Sequence, residues 1–251
     1  MINVDFDFTS DTPNYWEAFT ENNSNQNCPD PDAQSPTMQD YHRKLWSKQL
    51  PNGQTMELKA GRGSYYLYWD RFRFGADSIV NMYFHHRSSN LTDEIKKAVI
   101  TKNKATDFQS FYKNYLHTSY TIGGNIIFPK NGVNSINNLR YQILKDRFDL
   151  FLECIRQCYQ KQKNPFSPVF ETNKDFFDLF KDFRGYVDFF LLQDIVSTDY
   201  QKIKFFNTQQ DLENISYPKT QNEYLDLYTH QTEFVKNRNL RIKEECQQRN
   251  I

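Results

Sequence analysis

Hydrophobic residues follow two different periods along this chain, alternation between about residues 55 and 130 and three-four spacing over most of the rest. In "DRFRF" (70–74) Phe72 and Phe74 alternate with Arg71 and Arg73, and the preceding "SYYLYW" has the aromatic composition of a strand. Gly75 is read as the break, with "SIVNMYFHH" as the next strand. Period two turns both phenylalanines inward and sets Arg71 and Arg73 on the opposite side, about 7 Å apart. "TMELKA" opens a strand after a turn at Asn52-Gly53, and "YTIGGNIIFPK" is read as a strand interrupted by Gly123-Gly124 and closed by Pro129.

Helical spacing predicts a short helix starting at Ser35 with Pro36 in its first turn. Residues 91–117 read as helical, with Phe108, Phe111, Tyr112 and Tyr115 on one stripe. The strongest pattern is "NSINNLRYQILKDRFDLFLECIRQCYQ", read as one amphipathic helix starting near Asn134 or Ser135. Leu144, Phe148, Phe151, Leu152, Ile155 and Tyr159 form its apolar face. Gln142, Asp146, Asp149, Glu153, Arg156 and Gln160 occupy the other. "NKDFFDLFKDFRGYVDFFLLQDIV" predicts two central helical stretches meeting near Gly185, "IKFF" a short strand, and residues 221–247 a last, solvent-facing helix. The expected architecture is α+β, an N-terminal antiparallel or mixed sheet packed against a helix-rich C-terminal half. The chain reads as a single domain over residues 1–251. Within it, 1–40 is an irregular acidic segment, 41–130 mainly sheet with helices, and 131–251 mainly helical.

Composition changes this picture in one respect. Hydrophobic residues make up only 38% of the chain but aromatics 16%, so the core has to be built largely from Phe and Tyr. "YVDFFLLQDIV" is interrupted by Asp188, Gln193 and Asp194 and is far shorter than the ~20 residues of a membrane span. With an acidic rather than basic start to the chain, the expectation is a cytoplasmic protein without membrane association. The four cysteines form no CxxC pair and the five histidines no HxxxH or HxH spacing, so no metal site is expected and the thiols are expected to be free.

Charge is balanced overall, 31 basic against 31 acidic residues, but it is segregated. Residues 1–40 hold eight carboxylates and no Lys or Arg, whereas residues 41–147 hold 17 basic and 7 acidic groups. An electropositive block of this kind attracts phosphates in a salt-dependent way, unless the acidic lead packs across it. Aromatics are no more frequent in the block than elsewhere, so base-stacking platforms are not indicated.

The candidate chemistry follows from these features. Arg71 and Arg73, with Arg140 and the Gly123-Gly124 backbone, are the candidate phosphate-binding residues, since paired guanidiniums grip phosphate or carboxylate bidentately. The first turn of the long helix near Arg140 is a second candidate anion site. His85 and Glu153 are the candidate general base or acid; Asp146, Asp149 and Glu153 are neighbours on one helical face. For each a plainer role stands beside the chemical one: Arg71 and Arg73 paired with a carboxylate such as Glu57, Glu153 paired with Arg156, and the glycines serving close backbone approach. No catalytic triad, metal set or cofactor loop accompanies them, and no cofactor is implied.

Four stretches, "YHRKLWSKQLPNG", "TIGGNIIFP", "DRFDLFLECIR" and "DFRGYVDFFLLQD", together resemble the pattern of an uncharacterised bacterial family of unknown function, spanning residues 41–194. The resemblance implies a single-domain bacterial protein of similar length, associated with antiviral or toxin-like systems, and brings no catalytic residues. Arg140-Tyr141 stands where the family pattern has Arg-Gly. The expected function is binding or acting on a phosphate-bearing ligand, a nucleotide or nucleic acid. The alternatives are a regulatory module whose basic surface engages an acidic protein partner, and an enzyme for a small anionic metabolite.

Overall fold

A computed structural model describes residues 1–12, 30–61, 67–80, 91–130, 136–208 and 210–251. It is α+β as expected. A four-stranded antiparallel sheet in strand order runs β1 (Lys59–Ala60), β2 (Leu67–Trp69), β3 (Phe72–Ser78) and β4 (Asn125–Pro129). Short helices α1 (Pro31–Gln34) and α2 (Pro36–Trp46) precede it, and α3 (Asp93–Asn103) and α4 (Phe108–Ser119) lie between β3 and β4. Six more helices follow: α5 (Ile136–Leu144), α6 (Phe148–Tyr159), α7 (Ser167–Thr172), α8 (Lys174–Phe177), α9 (Phe183–Phe189) and the 29-residue α10 (Gln221–Arg249).

Local chemistry explains several boundaries. The Ser35 side chain accepts from Met38 N–H and Pro36 opens α2, as the sequence predicts. The Asn52-Gly53 turn also forms, with Gly53 at φ +92°. The inward face of β3 is right too: Phe74 is fully buried, and Phe72 and Phe74 both pack edge-on against Phe176 of α8. The stripe on α4 meets α10 through Phe111, Tyr115 and Tyr228.

Other boundaries differ from the reading of the sequence, and most differ for one reason. The break between β2 and β3 lies at Asp70-Arg71, where Asp70 takes φ +50°, and β3 runs straight through Gly75. The stretch read as helical over 91–117 is helical, as two helices turned at Lys104 (φ +51°). The long helix is likewise two, broken where Lys145 and Asp146 adopt φ +51° and +62°. In the aromatic segment the break is at Lys181 (φ +66°) and Asp182, while Gly185 sits inside the first turn of α9. Left-handed turns at Asp and Lys cost little enough for tertiary contacts to impose them, and none carries the Gly or Pro signal that a sequence reading uses. Gly123 and Gly124 lie in a 3-10 turn that precedes β4 rather than inside a strand. "TMELKA" contributes only its last two residues to the sheet, and "IKFF" only the bridge of Ile203 to Val196.

Where described, residues 1–7 of the acidic lead form no helix or strand but are packed against the fold. Ile2, Val4 and Phe8 are buried, with Phe6 and Phe8 packed on Tyr41 of α2. Helix α10 is not simply solvent-facing either, since Gln231, Arg238 and Asn239 are buried with Leu227, Val235 and Ile242. Among the described residues no helix is long and apolar enough to cross a membrane, and Cys154, Cys158 and Cys246 are unpaired.

Candidate functional site

The residues singled out in the sequence do not converge. Arg71 lies in the β2–β3 turn and pairs with Asp175, not Glu57, at 2.7 Å on the surface. Arg73 is exposed on β3, opposite Tyr68. Arg140 reaches the far end of the same strand, at Asp77 and Ser78. Four residues of strand separate Arg73 from Asp77, roughly 13 Å by the rise of a strand. Gly123 and Gly124 come to the Arg140 end, where Ile79 N–H donates to Gly124 O at 2.9 Å. Glu153 is on α6 and takes both Nε and Nη2 of Arg156, at 2.8 and 2.7 Å. Residues 81–90, with His85, and residues 131–135, with the expected start of the long helix, lie outside the described residues.

The glycine pair serves close packing. A Cβ on Gly123 would fall 2.5 Å from Val235 O and Asn239 Oδ1, and one on Gly124 would fall 1.9 Å from Ser119 O. Their N–H groups are used inside the fold, by Asn239 Oδ1 at 2.6 Å and Thr121 O at 3.0 Å. Beside them Arg238 of α10 is fully buried. It donates to Gly123 O and Asn125 O at 2.9 and 2.8 Å, and twice to Phe190 O at 3.2 and 3.0 Å. These carbonyl dipoles tie α10 to the start of β4 and the end of α9. Burial pulls the Arg238 pKa down to about 9, which leaves the guanidinium charged at neutral pH.

Arg140 is in the opposite situation. Its Nη2 donates to the Asp77 carboxylate and, at 2.9 Å, to Ser78 O, and its Nη1 meets Asp146 Oδ1 at 2.8 Å. The left-handed residues between α5 and α6 are what bring Asp146 back onto Arg140. Asp32 of α1 accepts from Ser78 N–H at 3.2 Å and feels both Asp77 and Arg140, and Asp30, the cap of α1, feels Asp77. Four carboxyl groups thus gather at one guanidinium, three of them acting on it directly and the fourth, exposed Asp30, acting on Asp77. Desolvation raises the pKa of Asp30 and Asp32, and it carries Asp146 to about 7 against the pull of Arg140. Asp149, expected beside Asp146 and Glu153 on a polar face, is instead fully buried. It makes a two-pronged pair with Arg147 and accepts from Phe206 N–H at 2.8 Å. The acidic lead therefore does reach the basic block, at Arg140 through Asp32 and at His117 through Asp7.

A cleft of 430 Å³ lies elsewhere, between Lys48–Pro51 and the start of α9. Three cations line it: Lys48, Lys181 and Arg184. Lys48 is the unusual one. Its side chain is only 16% exposed, its Nζ stands 4.9 Å from the centre of the Phe189 ring and 5.4 Å from that of Trp46, and its carboxylate partner Glu245 is 3.4 Å away. Burial pushes its pKa down, with Arg249 and Arg238 adding to the effect and Glu245 opposing it. The two acids of the cleft are occupied. Asp182 caps α9 through Gly185 N–H at 2.8 Å, and Asp188 accepts from Tyr200 OH at 2.6 Å and Gln193 Nε2 at 2.9 Å, with Arg184 at 3.5 Å. A partly desolvated cation in a cleft is a functional-site signal that sequence reasoning missed, because "WSKQ" carries no motif. Among the described residues no group of His, Cys, Asp or Glu is arranged to hold a metal ion.

No curated protein and no solved structure matches the chain significantly. The model of a family of unknown function, DUF6994, matches residues 2–242, nearly the whole length. The chain belongs to that family.

Proposed function

We propose that the protein binds a small phosphate-bearing ligand, of the mononucleotide class, in the cleft beneath α9. The observation that carries this reading is the placement of Lys48, a mostly buried ammonium lining the cleft floor, with Lys181 and Arg184 as further cations. A charge removed from water is worth more to an incoming anion than the same charge on the surface. The volume of 430 Å³ lies in the range of small-ligand pockets. Phe180, Phe189 and Pro51 supply apolar lining for the non-phosphate part of the ligand. Arg140, one of the phosphate-binding candidates in the sequence, is less suited, because its Nη groups already face carboxylates that repel an anion.

Calorimetric titration with inorganic phosphate and with adenosine monophosphate tests the reading. The intact protein binds the nucleotide, and Lys48→Met weakens it at least tenfold with an unchanged melting temperature. Absence of heat with both probes, or equal binding by Lys48→Met, refutes it. Binding of an acidic peptide at the same cleft, with no response to nucleotide, would favour the regulatory-module alternative.

A further inference from the structure

The four carboxyl groups around Arg140 come from three places in the chain. Asp30 and Asp32 belong to the acidic lead, Asp77 to the end of β3, and Asp146 to the break between α5 and α6. Helix α1 has only four residues, and its described polar tie to the sheet is the bond from Ser78 N–H to Asp32. Asp32 Oδ1 is buried without a hydrogen-bond partner, and so is Arg140 Nε. Asp32, Asp77 and Asp146 are only partly open to water while Asp30 is exposed, and one guanidinium does not balance three ionised carboxylates held this close to it. Protons are the remaining source of compensation.

We propose that Asp32 and Asp146, set against Arg140 and Asp77, form a proton-operated latch that fastens α1 to the end of the sheet while they hold protons and loosens it as the protons leave. Among the described residues the nearest other charged groups are committed elsewhere. Asp11, in the turn packed on α1, is taken by Ser35 and Thr37, and Arg147 beyond Asp146 is matched by Asp149. The direction follows from linkage. A carboxyl group whose pKa rises on folding holds its proton more tightly when packed, so packing is favoured at low pH and loses that support as pH climbs through the packed-state pKa. For Asp146 the loss runs from its ordinary 3.8 up to about 7. The latch thus opens toward neutral and alkaline pH, opposite to ordinary acid unfolding. It frees α1 from the end of the sheet. This inference is independent of the ligand proposed for the Lys48 cleft.

Amide hydrogen exchange on the full chain at pH 5.5 and 7.5, corrected for intrinsic rates, tests it. The amides of Ala33, Gln34, Ser35 and Ser78 are expected to lose at least tenfold in protection at the higher pH, while Ile126–Phe128 in β4 change little. Asp32→Asn is neutral at both pH values and keeps the shape of the acid, so it should hold the pH 5.5 protection at pH 7.5. Asp146→Asn is the second variant should the first fail to fold, with the same expectation. Equal protection of the intact chain at both pH values overturns the latch. So does a pH dependence that persists undiminished in every variant that folds.

Discussion

Arg140 and Lys48 are both cations largely withdrawn from water, and their surroundings are opposite. Arg140 lies among four carboxyl groups, two of them brought by the acidic lead. Lys48 has one carboxylate at 3.4 Å, itself shared with Arg249. It opens on a cleft with two more cations and two carboxylates, Asp182 and Asp188, that are engaged in hydrogen bonds of their own. A buried positive charge that is over-compensated becomes a site for protons, and one that is under-compensated becomes a site for an anion. Arg238 marks a third outcome, a guanidinium whose hydrogen bonds go to backbone carbonyls, which fixes structure.

The same substitution at each place separates these roles. Arg238→Met leaves the buried carbonyls of Gly123, Asn125 and Phe190 without their donors and should cost about 3–5 kcal/mol by chemical denaturation. Arg140→Met strands its carboxylates. It should cost roughly 3 kcal/mol or more at pH 7.5 and clearly less at pH 5.5, where protonation relieves the repulsion. An equal cost at both pH values would remove the distinction between Arg140 and Arg238. Gly123→Ala, which forces a methyl group against Val235 O and Asn239, should cost about 1–3 kcal/mol without any pH dependence. Lys48→Met should change stability by less than about 1 kcal/mol, since Glu245 retains Arg249 at 3.6 Å. Glu153→Gln removes a helical ion pair worth about 0.3–0.5 kcal/mol and should leave nucleotide binding untouched, which would set Glu153 outside the ligand site.

What could be read in the sequence follows the same division. The Ser35-Pro36 capping signal identified the α2 start. Apolar periodicity identified the inward face of β3 and the core stripe from Leu144 to Ile155, because water exclusion acts on every one of those residues alike. It misjudged the continuity of that stripe. The stripe continues in phase across Lys145–Arg147, while the backbone turns there to deliver Asp146 to Arg140. It also misjudged α10, whose buried face includes Gln231, Arg238 and Asn239 and so reads as polar. Lys48 was invisible for a related reason. Its significance comes from the rings of Trp46 and Phe189 and from Glu245, a partner 197 residues away. Charge segregation along the chain pointed to contact between the acidic lead and the basic block. It could not show that the lead would bring carboxylates to Asp77 as well as to Arg140.

The central claim is that the anion site is the Lys48 cleft and not the Arg140 cluster. Backbone amide chemical-shift mapping at pH 7 with inorganic phosphate, then adenosine monophosphate, tests it most directly. Saturable shifts confined to Gln49, Leu50, Lys181 and Gly185, and lost in Lys48→Met, are the predicted result. Shifts centred on Ser78, Ile79 and Gly124, or none at any concentration of either probe, would contradict it.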